Sequence, residues 1–90
     1  MSKKDLIDAV AKELELTKER AGQVVDTVID QIKAAMKDGK EVRLPDFGTF
    51  KVAKRDARKG RNPLTGKEID IPASTVPKFT AAKGLKDLLN

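Results

Sequence analysis

The residues able to do chemistry in this chain are concentrated between positions 51 and 67, KVAKRDARKGRNPLTGK. Lys51, Lys54, Arg55, Arg58, Lys59, Arg61 and Lys67 meet Asp56 alone there, seven cations against one anion for a net of +6, while the full 90 residues carry +5. Everything outside the segment therefore sums to −1. Ammonium and guanidinium groups at this density bind phosphate or carboxylate oxygens, so the chemistry on offer is capture of a polyanion. A charge run is often no more than a solvated face. Here the charges lie on both sides of a turn read at Gly60-Arg61-Asn62-Pro63, and like charges this close repel unless a partner neutralises them. The segment reads as a basic ribbon with a turn at its tip. Apolar alternation fails after Ala53, so the ribbon is expected to lack an apolar face, to project into solvent and to be mobile when unbound.

Other chemistries find no residues to carry them. The chain has no Cys and no His, which removes disulfides, thiolate and imidazole metal ligands, and the usual nucleophile–base pairs. No acid–base pair is recognisable, so neither an enzyme, a metal site, a cofactor nor a small-molecule substrate is expected. Asp46-Phe47-Gly48 spells a kinase metal-binding tripeptide, but there is no glycine-rich phosphate loop and no room for a kinase fold. Phe47 is read as core and Gly48 as a turn glycine.

The kind of polyanion follows from what the ribbon lacks. Stacking on single strands needs exposed aromatics, and the three Phe, at 47, 50 and 79, fall at expected core positions. Reading bases in the major groove usually takes several Arg, Asn or Gln side chains on one helix. Here the amide at Asn62 stands alone among the ribbon cations, so contacts are mostly Lys or Arg to phosphate, which position a duplex without specifying its sequence. Double-stranded DNA bound with little sequence preference fits best. An RNA duplex, or an acidic protein docked on the basic arm, stays open beside it. Pro63 has two compatible readings. It can simply form the turn, or its rigid ring can act as an apolar wedge that enters between base pairs.

The elements that must hold this ribbon divide by charge. Residues 1–40 carry eight basic and eight acidic side chains, and residues 41–90 carry eleven against six. A neutral helical scaffold thus precedes a basic half. Leu6, Ile7, Val10, Ala11 and Leu14 predict a helix over 3–14, with Ser2 as its cap and Asp5 closing a capping box. Thr17 caps a second helix to about Asp38, with an apolar stripe from Ala21, Val24, Val25, Val28, Ile29, Ile32, Ala35 and Met36. Gly39 suits the position after its end. Glu41–Leu44, Thr49 onward and Glu68–Ile71 alternate as strands, and Pro45–Gly48 turns the chain. Pro72 and Pro77 mark the return as an edge or kinked strand. Thr80 is expected to cap a short last helix whose Leu85, Leu88 and Leu89 face inward. A 90-residue chain with 3% aromatic content builds a thin core, so a second copy is expected to complete it. The N-terminus shows no signal peptide, and no window approaches a membrane span, so a cytoplasmic protein without membrane contact is expected.

Several of these motifs together resemble the bacterial histone-like HU family, which also contains integration host factor. They are Phe47-Gly48-Thr49-Phe50, Arg55 and Arg58, Gly60-Arg61-Asn62-Pro63 with Thr65-Gly66-Lys67, Ile71-Pro72-Ala73, Val76-Pro77-Lys78-Phe79 and Gly84-Leu85-Lys86. The resemblance runs the full length of the chain. It implies an α+β, HU-like fold formed as one domain over 1–90. Residues 1–40 form a helical hairpin for dimerisation, 41–82 a three-stranded antiparallel sheet saddle with an arm at about 53–75, and 81–90 a C-terminal helix. It implies an intertwined homodimer with Val25, Val28, Ile29, Ile32, Leu44, Phe47, Phe50 and Phe79 in the dimer core. It implies DNA contacts from Lys51, Lys54, Arg55, Arg58, Lys59, Arg61, Asn62, Pro63, Thr65, Lys67, Lys78, Lys83 and Lys86. Pro63 would be the wedge, with the arms in the minor groove. The implied function is to bend and compact DNA in the nucleoid, with a preference for bent or distorted DNA; a sequence-preferring bender like integration host factor is the variant reading. HU and integration host factor are themselves standard members of the minor-groove architectural class, in which a wedge unstacks a base step at a cost of about a few kcal/mol. Three places depart from the family pattern: Pro45-Asp46, where relatives usually carry an aliphatic residue and glycine; Gly84, in place of a helix former; and the tail Leu88-Leu89-Asn90.

Overall fold

Ser2 starts the first helix as its side chain requires. Its hydroxyl accepts the Asp5 N–H at 3.4 Å while the Asp5 carboxylate accepts the Ser2 N–H at 2.9 Å, so two otherwise unpaired donors are satisfied reciprocally. In the computed structural model, which describes Met1–Asn90, helix α1 spans Lys3–Leu14 and α2 spans Lys18–Lys37. Leu14 is followed by Glu15 in the left-handed region (φ 54°), which ends α1. Thr17 Oγ1 then accepts the Arg20 N–H at 3.1 Å and opens α2. Gly39, at φ +77°, closes it, with its N–H on the Met36 carbonyl at 3.0 Å.

The chain divides into two compact units, Met1–Ala35 and Met36–Asn90. In the first, Ala11 and Ala21 are buried and the larger members of the two stripes are not: Leu6, Leu14, Val28 and Ile29 are exposed, Val28 by 55%. Lys3 pairs with Asp26 at 2.5 Å and Lys18 with Asp8 at 3.7 Å. The hydrogen bond to Asp26, and then its charge, holds the Lys3 ammonium above its usual pKa. Both pairs are solvated and add little to stability.

The second unit is built on an antiparallel sheet in the order β1-β2-β5, from Val42–Leu44, Gly48–Arg55 and Ser74–Ala81. Two further strands, β3 at Arg58–Arg61 and β4 at Glu68–Ile71, pair with each other as a separate ribbon, and α3 spans Lys83–Leu89. The register places Val42, Phe50 and Phe79 side by side on one face of the sheet, with Leu44, Gly48 and Ala81 next to them. Phe79 stacks at a tilt against Phe50 (4.9 Å between centroids) and Phe47 (5.5 Å). The strand containing Pro77 is an edge, where a missing N–H is tolerated.

Three local readings are corrected. Gly48 is not a turn glycine. It is the buried first residue of β2, and the left-handed position in the Pro45–Phe47 reversal belongs to Asp46 (φ 64°). Thr80 does not cap α3, because the β2–β5 ladder continues through Thr80 and Ala81; Ala82 takes the cap position without a side-chain bond. Leu88 and Leu89 do not face inward but are 80% and 76% exposed. Leu85, Leu88 and Leu89 do share one helical face, but within one chain only Leu85 is partly covered and the rest of that face is left exposed.

Two of the departures from the family pattern explain each other. A Cβ on Gly84 would stand 2.9 Å from Asp46 Oδ1 and 3.1 Å from its Cα and Cβ. Alanine at 84 gains up to about 1 kcal/mol of helix propensity, but this contact opposes it. We therefore expect Gly84→Ala to be within about 0.5 kcal/mol of neutral in the parent and clearly stabilising in an Asp46→Gly background. A denaturant double-mutant cycle should read a coupling of at least about 0.5 kcal/mol. Strict additivity would show that the contact carries no weight.

Candidate nucleic-acid interface

The face of the sheet opposite the phenylalanines is built from cations and small polar groups. Strand alternation puts Thr49, Lys51, Ala53 and Arg55 of β2 on that face, across from Thr80, Lys78, Val76 and Ser74 of β5. Lys51 is thus directly opposite Lys78. Like charges in register destabilise an antiparallel pair. Neither lysine has a carboxylate partner, so both ammonium groups are available to an anion from outside. Arg43 pairs with Thr49 and joins this face. Sequence reasoning passed over it, because a lone Arg in a three-residue strand gives no signal until the register is known.

The sheet and the ribbon are separated by matched breaks. β2 ends at Arg55 opposite Ser74, β3 starts at Arg58 opposite Ile71, and Asp56-Ala57 and Pro72-Ala73 lie unpaired between them. Pro72 cannot donate to a ladder, which accounts for the break on one strand. The ribbon itself corrects an expectation, for it does have an apolar side. Arg58, Gly60, Ile69 and Ile71 share one face, and a Cβ on Gly60 would lie 2.7 Å from Ile71 Cδ1. The alternation is hidden in the sequence because both isoleucines are on the returning strand. The other face sets Lys59 across from Asp70 and Arg61 across from Glu68. Lys59 reaches Asp70 at 3.9 Å, while Arg58 and Arg61 have no carboxylate within ion-pair distance.

The turn lies further along than the sequence suggested. Gly60 and Arg61 are paired strand residues, and the reversal runs from Asn62 to Lys67. Asn62 organises it three times over. Its N–H bonds the Lys67 carbonyl at 2.9 Å, its carbonyl accepts the Gly66 N–H at 2.8 Å, and its Oδ1 accepts the Leu64 N–H at 2.9 Å. Gly66 takes the left-handed conformation (φ +71°), and Thr65 Oγ1 accepts the Lys67 N–H at 3.4 Å. The side chains of Asn62 and Thr65 are thus engaged in holding the tip, and Pro63 is exposed at its apex.

The expected contact residues fall into three groups. Lys51, Arg55 and Lys78 share the sheet face, with Lys54 on the opposite side of β2. Arg58, Lys59, Arg61, Asn62, Pro63, Thr65 and Lys67 form the ribbon and its tip. Lys83 and Lys86 are on α3, apart from both strand pairs, and Lys83 is paired with Asp87 at 3.3 Å. No set of three or more His, Cys, Asp or Glu side chains is placed to hold a metal ion, and no helix is long and apolar enough to cross a membrane.

Comparison with known proteins matches residues 1–90 to the family described as "Bacterial DNA-binding protein". The chain is 58% identical over 87 residues to DNA-binding protein HU of Staphylococcus aureus, covering 97% of each. It is 51% identical over 90 residues to DNA-binding protein HRL18 of Rhizobium leguminosarum, covering 100% of this chain and 99% of that one. Among solved structures it superposes on the Anabaena HU–DNA cocrystal structure with a TM-score of 0.88 at 39% identity, over 99% of this chain and 97% of that one.

Proposed function

The chain belongs to the bacterial DNA-binding protein family that includes HU, and from that membership we propose how its own residues act: it is a histone-like architectural protein that binds double-stranded DNA with little sequence preference, bends it and compacts it. The observation that carries the reading is the sheet face, where Lys51 opposes Lys78 with no carboxylate between them. Directly opposed lysines repel, and a phosphate chain running over them would turn that cost into binding energy through release of its counterions. Lys51, Lys78, Arg43 and Arg55 hold the duplex backbone, and the ribbon carries Arg58 and Arg61 into the minor groove. The apolar side of the ribbon, Ile69 and Ile71 over Gly60, suits the sugar walls of that groove. Pro63, ringed by cations at an exposed apex, is the wedge. Lys83 and Lys86 on α3, with Lys67 and Lys54, reach flanking phosphates.

Two copies act together. No large side chain is fully buried in one chain, and Val28, Ile29, Phe47 and Phe79 remain exposed on otherwise apolar faces. In the first unit Val25, Val28, Ile29 and Ile32 on α2, and in the second unit Leu44, Phe47, Phe50 and Phe79, are the residues a second copy covers. Sedimentation velocity of the free protein should give a species of twice 9.9 kDa at micromolar concentration. A 9.9 kDa species at all concentrations would remove the clasp. DNA is the partner and the nucleoid the location; the residues recruited are binding groups, with no reaction assigned to them.

The wedge is tested by energy transfer between dyes at the two ends of a duplex. Pro63→Ala should lose most of the bend while weakening affinity only a few-fold, since it removes no charge. Equal bending by variant and parent would refute the role of Pro63. A matched RNA duplex at the same salt serves as the competitor; if it binds as well as DNA, the groove reading gives way to a general polyanion grip. A strong dependence of bending on one particular sequence would favour the integration-host-factor-like variant.

A further inference from the structure

Leu64 is 93% exposed at the ribbon tip. Single exposed leucines are ordinary on protein surfaces. This one is held in a particular way. Its N–H is fixed on Asn62 Oδ1 at 2.9 Å, the neighbouring amides of Asn62 and Gly66 are used within the same turn, and Pro63 has no N–H to offer. The apex therefore presents two adjacent apolar side chains and few free donors. Arg61 and Lys67, the cations on either side of it, have no carboxylate partners. A carbon surface framed by unpaired cations suits an opened step of a duplex, where phosphates flank exposed base faces and deoxyribose edges.

We propose that Leu64 is a second apolar contact of the tip, packing against the base or sugar uncovered beside Pro63 and slowing the arm's release from kinked DNA. This deepens the proposed DNA-bending reading and rests on it. Proline alone opens the step. The leucine side chain, otherwise hydrated, leaves water only when the step is open, so its contribution is specific to distorted duplexes. Because burial of leucine is not electrostatic, it adds to affinity without adding to the salt dependence.

The experiment compares the parent, Leu64→Gln and Leu64→Met on a nicked duplex and on its intact counterpart. Dissociation rate and end-to-end energy transfer are measured over a range of salt. Leu64→Gln should leave the nicked duplex roughly five- to tenfold faster, consistent with partial burial of a leucine. It should change the intact duplex less, and the slope of log K against log salt should not move. Leu64→Met should behave like the parent. Parent-like release and bending by Leu64→Gln, with Pro63→Ala still defective, would overturn this inference and leave the bending function standing. A parent that fails to bend either duplex would overturn both. If Leu64→Gln alters sedimentation of the free protein but not duplex release, the leucine joins copies of the chain to one another, and the inference is wrong.

Discussion

Replacing Arg55, Arg58 and Arg61 together by alanine is expected to lower affinity for a random-sequence duplex about 100-fold, and to do so alike for unrelated sequences. None of the three has a carboxylate within ion-pair distance, so each is free to meet a phosphate. A charge-assisted hydrogen bond is worth about 1.5–3 kcal/mol when desolvated. On exposed strands, discounted to about 1 kcal/mol each, three such contacts give about 3 kcal/mol, or two powers of ten. The sharper reading is the salt dependence. Three lost phosphate contacts should flatten the slope of log K against log salt by about 2.7, at roughly 0.9 per contact. Lys59→Ala is the internal control. Its ammonium already faces Asp70 at 3.9 Å, so its removal should flatten the slope by less than one contact's worth. A triple variant that binds one sequence weakly and another normally would contradict binding through the backbone. An unchanged slope would remove the arm from the interface altogether.

What could be read in the sequence was whatever local chemistry decides. Ser2, Thr17 and Gly39 mark helix ends because each supplies or frees a backbone group at a fixed offset, and α1 and α2 start and stop where they do. The concentration of positive charge is likewise legible, since it needs only counting. Register is not local. That Lys51 opposes Lys78, that Arg43 joins them, and that Ile69 and Ile71 close over Gly60 all follow from ladders joining residues far apart in the chain. The turn was placed too early for the same reason. Gly60 and Pro63 look like turn formers, but Gly60 is needed because an isoleucine from the opposite strand lies over it, and the reversal is organised by Asn62 with Gly66. Gly84 and Asp46, separately odd, become intelligible only as neighbours.

Gly48 makes the strongest claim on stability, and Gly48→Ala is expected to destabilise the protein by about 2–3 kcal/mol, within the range for overpacking a filled site. An added Cβ would lie 2.5 Å from Phe79 Cζ, 2.6 Å from Cε1 and 2.7 Å from the Thr80 carbonyl oxygen. The half-exposed ring can turn aside only by giving up its tilted contacts with Phe50 and Phe47. The carbonyl cannot move either without breaking the β2–β5 ladder at Thr49 and Thr80. Both escapes disturb the strands that carry Lys51 and Lys78, so the same substitution should weaken DNA binding through loss of the platform. At 4–8 °C per kcal/mol for a domain of this size, the melting temperature should fall by about 10–20 °C. Parent and variant must be compared at one protein concentration, since the proposed pairing of two chains would make melting concentration-dependent. Gly39→Asn separates crowding from any general intolerance of glycine loss. Nothing lies within 4 Å of its Cβ position, and asparagine accepts a positive φ, so it should be near neutral. Phe79→Leu in the Gly48→Ala background should recover only part of the loss, because the clash with the Thr80 oxygen remains. Full recovery would place the whole cost on the ring, and a Gly48→Ala variant that melts with the parent would mean the strands can part at this point without cost.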